Sequence, residues 1–389
     1  MCVQKLEKRY ISRLHRNRQG AVLVLAAVML FMMMAFLAFT VDTGYLAASK
    51  AEIRRSADSA ALAGCWELYD GLVQGKTLTQ SEADVATEAA LYAGVNPIAN
   101  TSPGLSNEIN SRSVEVGYLS SITSNSISTN ASLPFHAVRV TVKKNSQQNG
   151  EIPFFFGRIF GDSGRAIDAA ATAVMARNIS GFTTPGNSQE TLGVLPFALD
   201  LQTWNTISAN TAQDSFSYNS STGAVTAGGD GVREVNLYPQ GTGSPGNRGT
   251  VDIGGANNST ADIARQIVYG ISQADIQQLG KTLNFNSSGT MTLNGDTGIS
   301  AGVKDELASI IGQPRIIPVF STVSGNGNNA NYTIVKWVGV RILNVKLTGA
   351  MSQKAVIVQP APIVSRKFVV NNSEADTSDY VYSPVLLAR

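Results

Sequence analysis

The hydrophobic pattern begins with an interruption. After a polar, basic stretch over residues 1–20, the chain runs through residues 21–41 (AVLVLAAVMLFMMMAFLAFTV), where no position is charged and Thr40 is the only polar side chain. A run that is apolar on every face has no stripe to turn toward a core. As a helix it is about 31 Å long, the thickness of a bilayer's hydrocarbon interior. A secretory apolar region is shorter, roughly 7–15 residues, and ends at a small-x-small cleavage site; Ala35 and Ala38 are not spaced for one. Beyond residue 41 the period changes. Over 42–69 Leu46, Ile53, Ala57, Ala60, Ala61, Gly64 and Leu68 recur at steps of three, four and seven, while Arg54, Arg55, Asp58 and Glu67 mostly fall elsewhere on the wheel. This predicts a helix that continues out of the apolar run and carries a narrow seam of small residues. The seam packs either on the chain's own ectodomain or against partner helices.

The remaining pattern predicts an α+β fold: a single transmembrane helix leading into an amphipathic one, then a β-rich mixed ectodomain. A second helix runs from residue 79 to about 92, with Ser81 and Asp84 spaced like a capping box and Gly94, Asn96 and Pro97 ending it. Strands are predicted over 113–119, 137–143, 165–175, 315–320, 332–346 and 355–358, where apolar and polar positions alternate or β-formers cluster. Short helices are predicted over 259–269, with Ser259 or Thr260 as N-cap, over 272–279 and over 304–311. The aromatic run 152–160 (IPFFFGRIF) reads as a core loop, with a membrane-surface or partner patch as the alternative. Residues 179–189 read as a linker, and 223–231 and 240–255 as turns. The organisation expected is therefore a tail at 1–20, a membrane helix at 21–41, a helix-plus-α+β module at 42–180, and a Gly/Asn/Thr-rich β-dominated ectodomain at 190–389.

Charge adds an orientation. Lys5, Lys8, Arg9, Arg13, Arg16 and Arg18 precede the apolar run against the lone Glu7, and the first basic residue beyond it is Lys50. The positive-inside rule then keeps the N-terminus in the cytoplasm and the bulk of the chain outside. The whole chain carries only +2 and is 15% charged, below the ~25% of ordinary soluble domains. Without a basic stripe outside the tail, nucleic-acid binding is not expected.

These residues carry a resemblance. Arg16 to Gly20, the apolar span, Asp42 and Gly44 at its far end, and then Arg55, Asp58, Ala60, Ala61, Leu62 and Gly64 follow one another in a fixed order. That series resembles the N-terminal module of the TadE/TadG-like proteins of the bacterial tight-adherence (Flp) pilus assembly system. The resemblance implies a structural or accessory membrane component, not an enzyme, with no cofactor. It also implies a single-pass protein of the inner membrane, its N-terminus cytoplasmic and its ectodomain periplasmic or extracellular. Its partners would be the lipid bilayer and other pilus or secretion proteins, or further copies of itself through the helix at 42–69. The alternative is a pilus-independent envelope protein, either adhesin-like or a surface hydrolase. Gly20, set between basic and apolar stretches, also looks like the end of a prepilin-type leader. Such leaders usually have Glu five residues on, where Leu25 stands here; a plain membrane-entry glycine fits the same position.

The candidate chemistry is thin. Many TadG-like proteins carry an Asp-x-Ser-x-Ser metal motif. Here Asp214–Ser217 has the wrong spacing, and the stretch from Asp376 to Asp379 lacks the second serine. There are two histidines, His15 in the tail and His136 at the head of a predicted strand, where a satisfied structural role is expected. Cys2 and Cys65 fall on opposite sides of the predicted membrane, so they cannot bridge within one chain; Cys65 is expected to be a buried thiol, with an intermolecular disulfide as the alternative. Asp252, Asp262, Asp275, Asp296 and Asp305 fit no calcium-loop spacing.

Overall fold

The computed structural model describes residues 3–106, 112–121, 124, 126–130, 134–238, 248–254, 259–325, 327–370 and 376–388. The fold is α+β. Two helices, α1 (Val3–Val73) and α2 (Leu78–Gly94), lead into strands and short helices. The tail, the apolar run and the seam form one uninterrupted α1 of 71 residues. Nothing in the sequence stops it earlier: the first proline is Pro97, and isolated glycines cost a helix only about 1 kcal/mol each. Inside it, the Thr40 and Thr43 hydroxyls donate back to the carbonyls of Phe36 and Phe39, both at 2.8 Å, so they need no water. The large apolar side chains from Val22 to Val41 are exposed, Phe31 by 74% and Phe36 by 72%. This helix is long and apolar enough to cross a membrane.

α1 ends at Gly75, whose φ of 68° is left-handed. The Gly75 and Lys76 amides donate to the carbonyls of Leu72 and Gly71, a Schellman closure. α2 then starts on Thr77 and Gln80. The Thr77 N–H donates to Gln80 Oε1 at 3.0 Å and the Gln80 N–H to Thr77 Oγ1 at 3.4 Å. The capping box is therefore Thr77/Gln80, and not Ser81/Asp84 as the spacing suggested. Ser81 is buried at Gly71, and Asp84 pairs with Lys76 at 2.8 Å.

The chain divides into two compact units. One comprises Met1–Ala63, Ala86–Glu115 and Arg139–Ala171, and the other Gly64–Val85, Val116–Val138 and Thr172–Arg389. In the first unit, the seam residues Ile53, Ala57, Ala60 and Ala61 are buried, as are Ala89 and Ala93 of α2. Ser56 Oγ donates to the Ala93 carbonyl at 3.2 Å, and Glu52 accepts from the Ala99 N–H at 2.7 Å. The unit also holds a small hairpin of β3 (Ile152–Pro153) and β4 (Gly164–Arg165), with Ile152 opposite Arg165. Strands β1 (Val114–Gly117), β2 (Ala137–Lys144) and β5 (Ile167–Met175) flank it in the chain, and in the second unit Val385–Leu387 pairs antiparallel with Ala173–Met175 of β5.

The second unit is built on a closed ring of strands. The 17-residue strand Ala330–Lys346 pairs antiparallel with Met291–Thr297, which pairs with Arg248–Val251, which pairs with Phe197–Asp200. Phe197–Asp200 runs parallel to Pro314–Ser324, and that strand returns antiparallel to Ala330–Lys346. Past the ring, Ala330–Lys346 continues against Ala355–Pro360. Alternation along the strands feeds two separate clusters. Ile317, Val338, Val340 and Ile342 join Trp204 in one, while Ile316, Phe320, Ile334 and Trp337 join Phe182 in the other. Trp337 lies edge-on to Phe182 at 5.0 Å and stacked on Phe285 at 5.8 Å.

Most predicted strands and helices fall where the pattern puts them, including strand rather than helix over 165–175. Several readings change. Ile179–Phe182, read as the start of a linker, is a strand paired with Leu283–Asn284, with Ile179 and Phe182 buried. The helix Leu201–Ser208, capped by the Asp200 carboxylate, has no counterpart in the sequence reading. Both stretches read as turns hold a strand: Val225–Ala227, within 223–231, pairs with Phe216–Tyr218, and Arg248–Val251, within 240–255, is a strand of the ring, while 239–247 and 255–258 lie outside the described residues.

Candidate functional site

The most organised polar feature of the first unit lies where the apolar run ends. Asp42 is the first charged residue after 21 uncharged positions. Its carboxylate is buried, and it is satisfied by backbone 113 to 115 residues away. Oδ1 accepts from the Phe155 N–H at 2.8 Å and Oδ2 from the Gly157 N–H at 2.7 Å. The Phe156 N–H reaches both oxygens, at 3.1 and 3.4 Å. These amides open the 3-10 turn Gly157–Phe160, so the negative charge meets the positive end of a short helix.

The loop between β3 and β4 is shaped to present those amides. Ile159 N–H bonds the Phe156 carbonyl at 3.0 Å, Asp162 N–H bonds the Gly157 carbonyl at 3.1 Å, and Gly161 closes the turn with φ 87°. A Cβ at position 157 would lie 2.8 Å from Phe154 Cδ2 and 2.9 Å from the Asp162 carbonyl, so only glycine fits. Tyr45, about one turn beyond Asp42, packs edge-on to Phe155 at 5.1 Å. The loop is not core, which corrects the expectation for 152–160. Ile152 is buried, but Phe155, Phe156, Ile159 and Phe160 are exposed, the last two by 77% and 78%.

The other residues of the series spread along α1. Gly20 lies within the helix. Gly44 is exposed, and a Cβ there would meet nothing within 4 Å. Arg55 is exposed, Asp58 and Leu62 are half-buried, and Ala60, Ala61 and Gly64 are buried. Of the series, Asp42 is brought to a distant loop. The partners it meets, the amides of Phe155, Phe156 and Gly157, escaped sequence reasoning. The available signal was a carboxylate at the end of a long apolar run, a group that needs donors wherever it is buried.

Several of the acidic candidates are tied into local structure. Asp262 and Asp275 share Arg265, at 2.7 and 2.6 Å, and Asp275 also caps its own helix through Ser272. Asp376 and Asp379 share Lys336, at 2.7 and 3.0 Å. Asp214 accepts from the Asp230 and Gly231 amides, both at 3.0 Å. Among the described residues, no group of three or more His, Cys, Asp or Glu side chains is arranged to hold a metal ion.

Cys65 is buried, its sulfur 3.9 Å from the His136 carbonyl, and burial pushes the thiol well above its ordinary range. The thiolate is the reactive form, so this sulfur is inert while the fold holds. In a Cys2→Ser protein, a thiol reagent is expected to find no thiol until denaturant is added; rapid reaction of the native protein would contradict the burial.

His136 is held down to about 4, by burial first, while its Nδ1 lies 3.1 Å from the Pro134 carbonyl. As pH falls from about 6.5 toward 4, the unfolded chain takes a proton that the folded one refuses, and stability is lost. Asp252 is pushed up to about 6 by burial and then by Asp262. As pH rises from about 4 toward 6, the unfolded chain loses its proton first, and stability is again lost. The two contributions oppose each other between pH 4 and 6. Asp252→Asn is therefore expected to steepen the acid loss of melting temperature across that window; an unchanged slope would refute the assignment.

Two family models match this chain: the Flp pilus-assembly TadE/G-like model over residues 20–67, and the Tad-like Flp pilus-assembly model over residues 63–173. A search of the curated proteins finds no match, nor does a search of the solved structures. These two matches run in sequence over 20–173, so this part of the chain is similar to the Tad/Flp pilus-assembly family. The matches support a role in pilus assembly and point to a structural or accessory role rather than catalysis. The Asp42 contact lies inside this region, with its carboxylate in the first match and its amides in the second.

Proposed function

We propose that the protein is a single-pass component of the Tad (Flp) pilus assembly machinery, anchored in the bacterial inner membrane and acting by contact rather than catalysis. Residues 1–20 stay in the cytoplasm, 21–41 span the bilayer, 42–180 form the family module, and 190–389 form a second ectodomain region outside. The observation that carries this reading is the exposed apolar length of α1 within the matched region. Six cations before the span, against Lys50 as the first after it, support the orientation. Other assembly proteins are the partners. Because Ala57, Ala60 and Ala61 are buried within the chain, any self-association over 42–69 uses the outward positions, among them Lys50, Arg54 and Arg55.

Deleting the protein in its host and counting surface pili tests the role. Restoration by the full chain, but not by residues 42–389 exported behind a cleavable signal, supports an anchored assembly component. Unchanged piliation in the deletion refutes the role, and restoration by the soluble form refutes the need for the anchor.

A further inference from the structure

We propose that the loop at 155–160 is a second membrane contact, seated in the headgroup region of the same bilayer that α1 crosses. The inference rests on the reading of 21–41 as a membrane span. Asp42 fixes the loop at one level along the helix, a single residue and about 1.5 Å of rise beyond Val41. Exposed apolar side chains of α1, ending at Val41, and of the loop, starting at Phe155, are thereby brought to one level within the first unit. Phe155, Phe156, Ile159 and Phe160 are exposed in a stretch whose backbone is tied down on every side, so their exposure belongs to the fold and not to a frayed end. Aromatic side chains collect at membrane–water boundaries, and Tyr45 against Phe155 joins the helix to that layer. Arg158 within the loop and Arg165 in β4 are both exposed, and long cationic side chains of this kind lay their stems in the apolar layer while the guanidinium reaches lipid phosphates. The loop is too short to span; it widens the footprint of one helix at the surface and limits its tilt and rotation there.

The test uses the full chain as Cys2→Ser, reconstituted in phosphatidylcholine–phosphatidylglycerol vesicles. An environment-sensitive fluorophore is placed at Ile159→Cys, with Phe160→Cys as a second loop position. Met29→Cys reports the middle of the span, and Ser221→Cys, exposed in the second unit, reports water. Nitroxides on shallow or deep lipid carbons, and aqueous iodide, serve as quenchers. The expected result is strong quenching of both loop labels by the shallow nitroxide, with iodide quenching several-fold weaker than at 221. Asp42→Ala should return the 159 label toward the iodide response of 221. If position 29 is quenched from within the bilayer while 159 and 160 behave like 221, the anchor stands and the loop proposal is wrong. If the loop labels are shielded from iodide and from both lipid quenchers, protein covers the loop and the bilayer is the wrong occupant. If position 29 too is untouched by lipid quenchers, the span reading itself has failed, and the loop proposal with it.

Discussion

Replacing Asp42 by alanine is expected to free the loop at 154–160 from α1 while the second unit remains folded. The substitution removes the acceptor of three backbone amides, those of Phe155, Phe156 and Gly157. These bonds are part-buried and go to a charged acceptor, worth about 1.5–3 kcal/mol each, so the closed loop loses on the order of 3 kcal/mol or more relative to an open, hydrated one. Hydrogen exchange at the three amides reads this directly: slow exchange in the parent becomes fast in the variant. Asp42→Asn keeps a carbonyl acceptor but loses the charge, and bonds to a charged acceptor are roughly twice as strong as neutral ones. Its protection should fall between parent and alanine. Unchanged exchange in Asp42→Ala would mean the carboxylate does not hold the loop.

The second large effect lies in the ring of strands. A Cβ on Gly295 would collide with the Thr250 carbonyl oxygen and stand 2.9 Å from Tyr332 Cε2. Across the pairing, a Cβ on Gly249 would collide with the Asp296 carbonyl oxygen and stand 2.6 Å from Tyr332 Oη. In an open sheet the outer strand can slide away. Here Arg248–Val251 and Met291–Thr297 are each paired on both edges, and the ring transmits the displacement. Overpacking of this kind costs about 1–3 kcal/mol, occasionally more, and Gly295→Ala is expected at the upper end. Gly44→Ala is the contrast: with open space around it and a helical backbone, it should be neutral or stabilising by up to about 1 kcal/mol. Thermal unfolding of the two variants separates them. Equal melting temperatures would contradict the closed ring.

Much of what is local in this protein is visible in its sequence, though the Asp200-capped helix Leu201–Ser208 is not. Twenty-one uncharged residues, a seam at helical spacing and alternating strands such as 137–143 each declare themselves within a window of one element, and the structure forms them there. The order from Arg16 to Gly64 points to the family whose models match residues 20–173. Non-local closure is not visible. Nothing near Asp42 names amides 113 residues away, and nothing near Phe197 says that it pairs with both Arg248–Val251 and Pro314–Ser324. The aromatic loop was misread for a physical reason: apolar composition states that a segment avoids water, not what covers it. Ile179–Phe182 was misread because glycine and proline downstream gave the stretch the look of a linker, while its pairing with Leu283–Asn284 lies 100 residues on. The capping box was shifted from Thr77 to Ser81 because both serve as caps, and the choice depends on where the Gly75 turn releases the chain.

The most direct test of the anchored reading is made on the protein from its native host: carbonate extraction of membranes, with N-terminal sequencing of the retained material. Retention with residues 21–41 intact is predicted, whether the chain begins at Met1 or, after processing, at Ala21. A soluble protein whose N-terminus lies beyond Val41 would contradict it.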